Sequence, residues 1–511
     1  MKTEKPDSQP QGTHDVSEIE RLMRAGDEHI RHGRGSDADA CFLQVLELEP
    51  DQPDALHLHG LLAFLRGDPR EAVDYLGRAM AIRGDDATLC GHLASAHMAC
   101  GNGDDAIANW RRALELTPDF TAAHVKLGDA YSAKGEMESS ETSYRKAVAL
   151  TPDDPRPLVG LARVLLFSGR GEEGESVLHE ALELSKGAPD VVNLIGTVLL
   201  EVGGLDAALE LFAAIARDEP DEPRGHTGMG LALQMLGRPD EAEIAYRKAL
   251  DIEPGNALAL KHLGVLLQER GELEAAAECF RDLLVSNPDD DVARHMLAAT
   301  TGEMTTGAPA GYVTRLFDDY ADRFDAHLSQ ISYRVPELIR DAVVEVAGSG
   351  KSGWRVLDLG CGTGQCGEIL RPLAEFLAGV DLSPRMVAKS RARNVYDSLA
   401  TRSIDEALEG QEQTFDLIVA GDVFTYVGDL SGVMEGCARA LRPGGLMAFS
   451  VEDTGGEGFE LRPTGRYAHS SPYIDSLAAA SNLTPAYRGE MTLRDDPVPI
   501  RGRIVVLSKA P

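Results

Sequence analysis

The chain has 511 residues, of which 43% are hydrophobic and 26% charged, so it is long enough to build more than one core. Its formal net charge of −33 repels phosphate backbones, which argues against nucleic acid as a partner. No stretch approaches the roughly 20 apolar residues that cross a bilayer, and the seven cysteines follow no disulfide or zinc spacing. We therefore expect a multidomain cytoplasmic protein without a membrane segment or a bound metal.

A polar segment begins the chain, and a repeated unit follows it. Residues 1–18 hold two prolines and no apolar cluster, so we predict a disordered tail there. From residue 19 to 288, three series of residues recur every 34 positions. The first is small: Gly26, Gly60, Ala94, Gly128, Ala162, Gly196, Gly230 and Gly264. The second, also small, is Ala38, Ala72, Ala106, Ser140, Gly174, Ala208, Ala242 and Ala276. The third is bulky and apolar: Phe42, Leu76, Trp110, Tyr144, Leu178, Phe212, Tyr246 and Phe280.

A fixed period of this kind predicts one helix pair stacked many times. The small residues would lie where the two helices cross closely, and the bulky residues would fill the gap to the next unit. Most units close with a proline that ends the second helix, while Gly84 and Lys186 stand at the exceptions. The pattern resembles the tetratricopeptide repeat, so residues 19–300 are expected to form eight repeats and a capping helix, Asp291 to Thr300. The resemblance implies a superhelical solenoid that binds a protein or peptide in its groove.

Small and polar residues then break the period at 301–311, which predicts a linker. Beyond it, residues 312–511 alternate helical patterns with β-rich runs, which predicts a doubly wound parallel sheet. The expected strands are Arg355–Leu359, Leu377–Asp381, Phe415–Ala420, Leu446–Val451 and Arg503–Leu507, with weaker ones near Thr401 and Pro485.

The run from Val356 to Gly364 reads as a strand that ends in an acid and passes into a glycine loop. Glycines at alternate positions let bare backbone approach a ligand closely. The next strand ends at Asp381, at the distance from which a carboxylate accepts the hydroxyls of a ribose. These residues predict a nucleoside-cofactor site, and the same run also fits the dinucleotide fingerprint GxGxxG.

The order of motifs resembles the Rossmann-like (class I) methyltransferases. The matching pieces are the glycine loop with Asp358, the acid Asp381, the strand ending before Asp422, and the Arg-Pro-Gly-Gly turn at 442–445. The resemblance implies S-adenosylmethionine rather than a nicotinamide cofactor. The residues implied to bind it are Asp358, Gly360, Cys361, Gly362, Gly364, Asp381, Leu382, Ser403, Ile404 and Asp422. One departure is Ser403-Ile404, where the family usually has an acid near the adenine.

Two further segments resemble bacterial proteins that join such repeats to a methyltransferase: residues 316–325 with 333–336, and residues 465–470. From them we expect Tyr320, Arg334, Arg466 and Tyr467 on the substrate side, with Arg334 pairing the methionine carboxylate, and we also place Tyr426 on that side. The alternative for the aromatic residues is the core of an amphipathic helix.

Methyl transfer needs a base only if the acceptor must lose a proton. Asp422 and His469 are the candidates for catalysis. Asp422 is alternatively the N-cap of a following helix, and His469 an ordinary loop histidine. We expect an S-adenosylmethionine-dependent methyltransferase that acts on a protein held by the repeats or, as the second choice, on a metabolite. The alternative is an interaction scaffold whose methyltransferase fold is inactive.

Overall fold

The computed structural model describes residues 12–321, 323–348, 350–495 and 499–511. The chain divides into two compact units, residues 1–220 and 221–511. The first holds helix pairs only, and the second holds the remaining pairs together with an α/β domain. The expected linker at 301–311 therefore lies within the second unit.

The helical region confirms the predicted repeats. In the first unit the helices are α1 Gly12–Arg31, α2 Gly35–Leu48, α3 Pro53–Leu65, α4 Pro69–Arg83, α5 Ala87–Ala99, α6 Gly103–Leu116, α7 Thr121–Ala133, α8 Met137–Leu150, α9 Pro155–Phe167, α10 Gly171–Ser185, α11 Pro189–Glu201 and α12 Leu205–Asp218. In the second they are α13 Pro223–Met235, α14 Pro239–Ile252, α15 Ala257–Glu269, α16 Leu273–Ser286 and α17 Asp291–Thr301. Helix α1 begins inside the segment predicted as a tail, since residues 13–31 contain no proline that would interrupt it. Residues 1–11 lie outside the described residues.

The recurring small residues are needed because a bulky residue lies against each of them. A side-chain carbon placed on Gly196 would lie 2.4 Å from the ring of Phe212, and one on Gly128 would lie 2.7 Å from Tyr144. Tyr144 also approaches Gly160 of the next repeat. The bulky residue thus packs against the small residue of its own repeat and also fills the gap to the next repeat, as predicted.

Proline ends the second helix of most repeats by constraining the residue before it. That residue has left the helical conformation in every case: Glu49, Thr117, Thr151, Glu219, Glu253 and Asn287. Where the proline is missing, Gly84 and Lys186 end the helix at positive φ, 81° and 50°. Both the proline and the residue at positive φ end the second helix and so let the chain turn into the next repeat.

The α/β domain begins with three helices, α18 Ala310–Tyr320, α19 Phe324–Gln330 and α20 Val335–Ala347. The strands are β1 Trp354–Leu359, β2 Ala374–Asp381, β3 Ser398–Thr401, β4 Phe415–Ala420, β5 Leu441–Glu452, β6 Phe459–Leu461, β7 Tyr467–His469, β8 Leu483–Asp495 and β9 Pro499–Lys509. The remaining helices are α21 Gln365–Leu370, α22 Pro384–Arg393, α23 Ile404–Leu408, α24 Ser431–Ala440 and α25 Ser471–Ala480.

Seven strands form one sheet in the order β3-β2-β1-β4-β5-β9-β8. Strands β1 to β5 pair in parallel as predicted, but β9 is antiparallel to both β5 and β8. The expectation of a wholly parallel sheet is corrected, because the chain between Asp495 and Pro499 is too short for a parallel crossover. Alternate residues of β4 enter two separate apolar clusters, which places a core on each face of the sheet.

A two-stranded hairpin, β6 with β7, was not predicted. It packs against α17, with Leu461 and Tyr467 beside Ala298 and Ala299. His295 of α17 also contacts the carbonyl oxygen of Gly465 at 2.8 Å. The last repeat helix is therefore buried against the α/β domain and does not simply cap a free end.

The segment after α17 is likewise bound to this domain. The carbonyl of Thr306 accepts hydrogen bonds from the backbone of Gly428 and Asp429, and Ala308 donates to the carbonyl of Tyr426. These bonds fix the segment that was predicted to be a linker. Among the described residues, no helix has both the length and the apolar content to cross a bilayer.

Candidate functional site

A cavity of about 920 Å³ lies at the carboxyl ends of β1, β2 and β4. One wall consists of the glycine loop, Asp381, the start of α23 and the tip of β4. Helices α18 and α19 and the segment 306–310 form the opposite cover. The volume is near the upper end of the range of about 300–1,000 Å³ for small-molecule sites, which leaves room for a cofactor and an acceptor together.

The loop after β1 exposes backbone to the cavity. Gly360, Gly362 and Gly364 all have positive φ, at 66°, 53° and 94°, a conformation that disfavours other residues. A side-chain carbon on Gly360 would collide with Val423, whereas the space above Gly362 is open as far as Phe324. Glycine at these positions therefore leaves the backbone of the loop open to the cavity, and the loop forms a cradle for a ligand.

Asp381, at the end of β2, fixes this loop. One of its carboxylate oxygens accepts a hydrogen bond from the backbone of Gly362 at 2.9 Å, and the other accepts from Ser383 at 2.8 Å. Burial raises the pKa of Asp381, while these two donors lower it. Each oxygen keeps a second lone pair that can accept from a ligand hydroxyl.

Asp358 lies within β1, directly beneath the loop. Tyr396 donates to its Oδ2 at 2.6 Å, whereas Oδ1 is buried and has no hydrogen-bond partner among the described residues. Burial raises the pKa of Asp358 to about 7, with a further contribution from Asp381, while the Tyr396 hydroxyl opposes the shift. A buried carboxylate oxygen without a partner fits a bound cationic group such as an ammonium.

Two acids hold the cover over the loop. Asp318 of α18 accepts from the hydroxyl of Ser383 at 2.5 Å. Asp325 of α19 accepts from Thr363 at 2.5 Å and from Gln365 at 3.0 Å. The cover is therefore bound directly to the residues that shape the cradle.

Asp422, at the tip of β4, is held by a buried arginine. Its φ is 61°, which is unusual for a residue with a side chain, and its Oδ2 lies 2.6 Å from Arg494. Arg494 also binds Glu452, and both of these side chains are 3% exposed. The side chain of Asp422 is thus engaged by Arg494, and among the described residues it accepts no N-cap hydrogen bond. Its Oδ1 has no partner among the described residues.

Ten of the residues predicted for the site line this cavity. They are Gly360, Gly362, Asp381, Leu382, Ser403, Ile404, Asp422, Tyr320, Tyr426 and Arg466. Asp358, Cys361 and Gly364 do not line the cavity, although each is one or two residues from a glycine that does, and the backbone N–H of Cys361 is already bound to Val380. Burial raises the pKa of the Cys361 thiol, so this side chain is not activated.

Three predicted residues lie elsewhere. His469 is fully buried in β7, contacts the carbonyl of Gly428 at 2.9 Å and does not line the cavity, so its assignment as the base is corrected. Burial lowers the pKa of His469. Tyr467 is buried on the same strand and contacts the Thr305 hydroxyl at 2.5 Å. Arg334 is exposed at the start of α20 and does not line the cavity, so it is not placed to pair a cofactor carboxylate there.

The unusual residue after β3 has a local role. Ser403 caps α23: its hydroxyl accepts from the backbone of Glu406 at 3.2 Å, and the Glu406 side chain accepts from the backbone of Ser403 at 2.9 Å. Ser403 stands where the family usually has an acid, and one lone pair of its hydroxyl oxygen is used in this cap. Asp405, two residues further on, lines the cavity.

Sequence reasoning missed Arg494, Tyr396 and the two acids of the cover. Arg494 comes from β8, 72 residues after its partner Asp422, and no motif surrounds it. Tyr396 packs against Gly367 and Gly379, where a side-chain carbon would meet its ring. Those two glycines could have indicated a large side chain packed closely against them, since a buried glycine often marks the close approach of a neighbour.

Comparison with known families agrees with these two kinds of structure. A tetratricopeptide repeat model matches residues 23–87, 93–155 and 193–257, and related repeat models match 155–180 and 233–300. A methyltransferase domain model matches residues 357–447, which include β1, the glycine loop and β4.

Among curated proteins, the ubiquinone biosynthesis O-methyltransferase of Methylocella silvestris is 36% identical over 121 residues, which cover 22% of this chain and 45% of that protein. The chain therefore spans about half the length of the curated relatives it matches. Among solved structures, a Burkholderia thailandensis 1,6-didemethyltoxoflavin-N1-methyltransferase with bound S-adenosylhomocysteine is 17% identical, covering 41% of this chain and 93% of that one with a TM-score of 0.33. A tetratricopeptide repeat protein from Parabacteroides merdae is 16% identical, covering 56% and 99% with a TM-score of 0.40.

Proposed function

Since the chain joins tetratricopeptide repeats to a methyltransferase domain, we propose that it is an S-adenosylmethionine-dependent methyltransferase whose repeats bind a protein partner. The observation that carries the proposal is the placement of Asp381 and the glycine loop around one cavity. Asp381 offers its remaining lone pairs to ribose hydroxyls, and Gly360 and Gly362 admit the cofactor against bare backbone. The free oxygen of Asp358 fits the ammonium group of the methionine part.

When bound, S-adenosylmethionine supplies a methyl group activated on a sulfonium, so the chain mainly has to position two reactants and exclude water. Helices α18 and α19 cover the cavity for that purpose. We place Asp422 on the acceptor side, where its free oxygen can accept a hydrogen bond from the incoming nucleophile. Arg494 keeps that carboxylate in place.

The acceptor is proposed to be a protein held by the repeats or, as the second choice, a small molecule. The relatives named O-methyltransferases make an oxygen nucleophile the first chemistry to test. A labelled methyl group offered with the full-length protein to a lysate lacking it separates the two cases. Label in a macromolecular band indicates a protein acceptor, and label confined to small molecules indicates a metabolite.

The cofactor proposal is tested by calorimetric titration of the full-length protein with S-adenosylmethionine and, separately, NADH. We expect binding of S-adenosylmethionine alone. Binding of NADH alone would replace the proposal with a dinucleotide enzyme. Binding of neither would favour the inactive scaffold.

A further inference from the structure

Helix α18 has an apolar face without a protein core beneath it. Val313, Leu316, Phe317 and Tyr320 follow the spacing of one helical face, yet no residue of this helix is fully buried. All four line the cavity. Such a face is normally covered by other side chains, so its exposure to a cavity indicates that a ligand covers it.

The aromatic members of this face belong to a connected cluster, which we call the ring cluster: Phe317, Tyr320, Phe324 and Tyr426. Their ring centroids are 5.3 Å apart for Phe317 and Tyr426, 6.0 Å for Phe317 and Phe324, and 5.6 Å for Tyr320 and Phe324. All these pairs meet edge to face, and all four rings line the cavity. In each pair one ring turns its edge to the face of the other, so the four rings are not stacked face to face.

The ring cluster lies opposite the cofactor cradle. The nearest atom to the open space above Gly362 is Cε1 of Phe324, 3.9 Å from where a side-chain carbon would be. Asp325, the next residue, is bound to Thr363 and Gln365 of the loop, and Asp318 binds Ser383 beyond Asp381. These bonds hold the rings over the loop before any ligand arrives.

In the described part of the chain, four carboxylates also line the cavity, those of Asp381, Asp405, Asp422 and Asp429. Asp422 pairs with Arg494, and both oxygens of Asp381 receive backbone N–H bonds. Arg402, Arg466 and Arg494 also line the cavity, so its walls carry positive as well as negative charge. The arginines offset part of the attraction that these carboxylates exert on a cation, and the aromatic rings of the cover add an attraction of their own.

We propose that the ring cluster, with Phe324 at its centre, binds the sulfonium of S-adenosylmethionine and so distinguishes the charged donor from the neutral product S-adenosylhomocysteine. This inference rests on the proposed function and adds a specificity determinant to it. The two molecules share ribose, adenine and the amino acid part, so Asp381, Asp358 and the glycines contact both alike. Only a group that senses the charge on sulfur separates them.

The test is calorimetric titration of the full-length protein with each of the two compounds. The quantity compared is the dissociation constant of S-adenosylhomocysteine divided by that of S-adenosylmethionine. We expect Phe324→Leu to lower this ratio about fivefold, within the usual strength of a cation–aromatic contact, and Phe317→Leu to lower it less. Phe324→Tyr keeps a ring face and should restore the ratio.

Leu316→Ala is the matched control, because it removes apolar surface from the same helix face without removing a ring. It should weaken both compounds equally and leave the ratio unchanged. The inference is overturned if both phenylalanine variants bind the two compounds with the wild-type ratio, or if Leu316→Ala lowers the ratio as much as they do. Failure of the wild-type protein to bind either compound would instead contradict the proposed function on which the inference rests.

Discussion

The repeats and the cavity show two ways in which a sequence specifies structure. In the repeats, each decisive contact joins residues of neighbouring helices, such as Gly128 with Tyr144, and recurs with the period of the sequence. In the cavity, Asp422 depends on Arg494, 72 residues away, and the contact occurs once. A contact that recurs can be recognised from the period of the sequence, whereas a single long-range contact leaves no sequence pattern. The repeats should therefore be sensitive to loss of packing, and the cavity to loss of particular charges and hydrogen bonds.

The largest effect should follow from opening a cavity in the repeats. Tyr144 is 1% exposed, so Tyr144→Ala should lower the free energy of unfolding by about 3–5 kcal/mol. Phe167, in the following repeat, is 51% exposed, and Phe167→Ala should change it by well under 1 kcal/mol. Urea unfolding followed by Trp110 fluorescence, with Trp354 replaced by Phe, measures the unit that contains both residues. Equal losses in the two variants would contradict the packing argument.

The corresponding change at the cavity removes a buried charge. Arg494→Met leaves the carboxylates of Asp422 and Glu452 without their shared partner, which should lower the free energy of unfolding by about 3 kcal/mol. Arg494→Lys keeps the charge and should recover part of the loss. Trp354 fluorescence, with Trp110 replaced by Phe, reports on this unit. If Arg494→Met proves as stable as Arg494→Lys, the arginine does not hold Asp422 in place.

The parts of the site that sequence could predict are those enclosed in short motifs. The glycine loop and Asp381 lie 19 residues apart and occur in a recognisable order, and both line the cavity. Tyr320, Tyr426 and Arg466 were expected from resemblance and also line it. The glycine loop and Asp381 lie at strand ends, where the order of strands determines their position, whereas Tyr320 lies on helix α18.

His469 shows where such reasoning fails. It was selected as a histidine in a loop after β5, but residues 467–469 form a strand that pairs with β6. All three residues of that strand are buried, so the imidazole lies in the protein interior. The hairpin is stabilised by its contact with α17, which is distant in the sequence. No residue pattern near the hairpin therefore predicts it. The antiparallel edge of the sheet was missed for a similar reason.

A smaller effect is expected where a single hydrogen-bonding side chain meets the cofactor. Asp381→Ala removes the ribose acceptor and releases Gly362, so it should weaken S-adenosylmethionine at least tenfold, about 1.4 kcal/mol. Asp397→Ala is the control, since Asp397 binds Arg371 and the backbone of Leu377 at the other end of the same strands. Calorimetry should show near-wild-type affinity for the control. Unchanged affinity in Asp381→Ala would remove this residue from the site.

Asp358 offers a test through pH. Its pKa of about 7 lies above its ordinary value of 3.8, so in the free protein the group is largely protonated below neutral pH. An ammonium group beside Oδ1 favours the carboxylate, so binding should lower the pKa and release a proton. Affinity for S-adenosylmethionine should consequently rise as pH increases from about 5 to about 7. Calorimetry at pH 6.5 in buffers of different ionisation enthalpy detects that proton, and Asp358→Asn should abolish it. Proton release that persists in Asp358→Asn would assign it to another group.

The smallest effect concerns the contact between the last repeat helix and the hairpin. Burial lowers the pKa of His295 below 6.5, and the bond to Gly465 only partly opposes this shift. The folded protein therefore holds a neutral imidazole while the unfolded chain takes up a proton below about pH 6.5, so stability falls as the solution becomes more acidic.

His295→Gln keeps a donor for Gly465 and cannot titrate. It should match the wild type at pH 8 to within about 1 kcal/mol, the usual net value of one hydrogen bond, and lose less stability at pH 5. Urea unfolding at the two pH values measures both quantities, and equal acid sensitivity in the two proteins would show that another group is responsible.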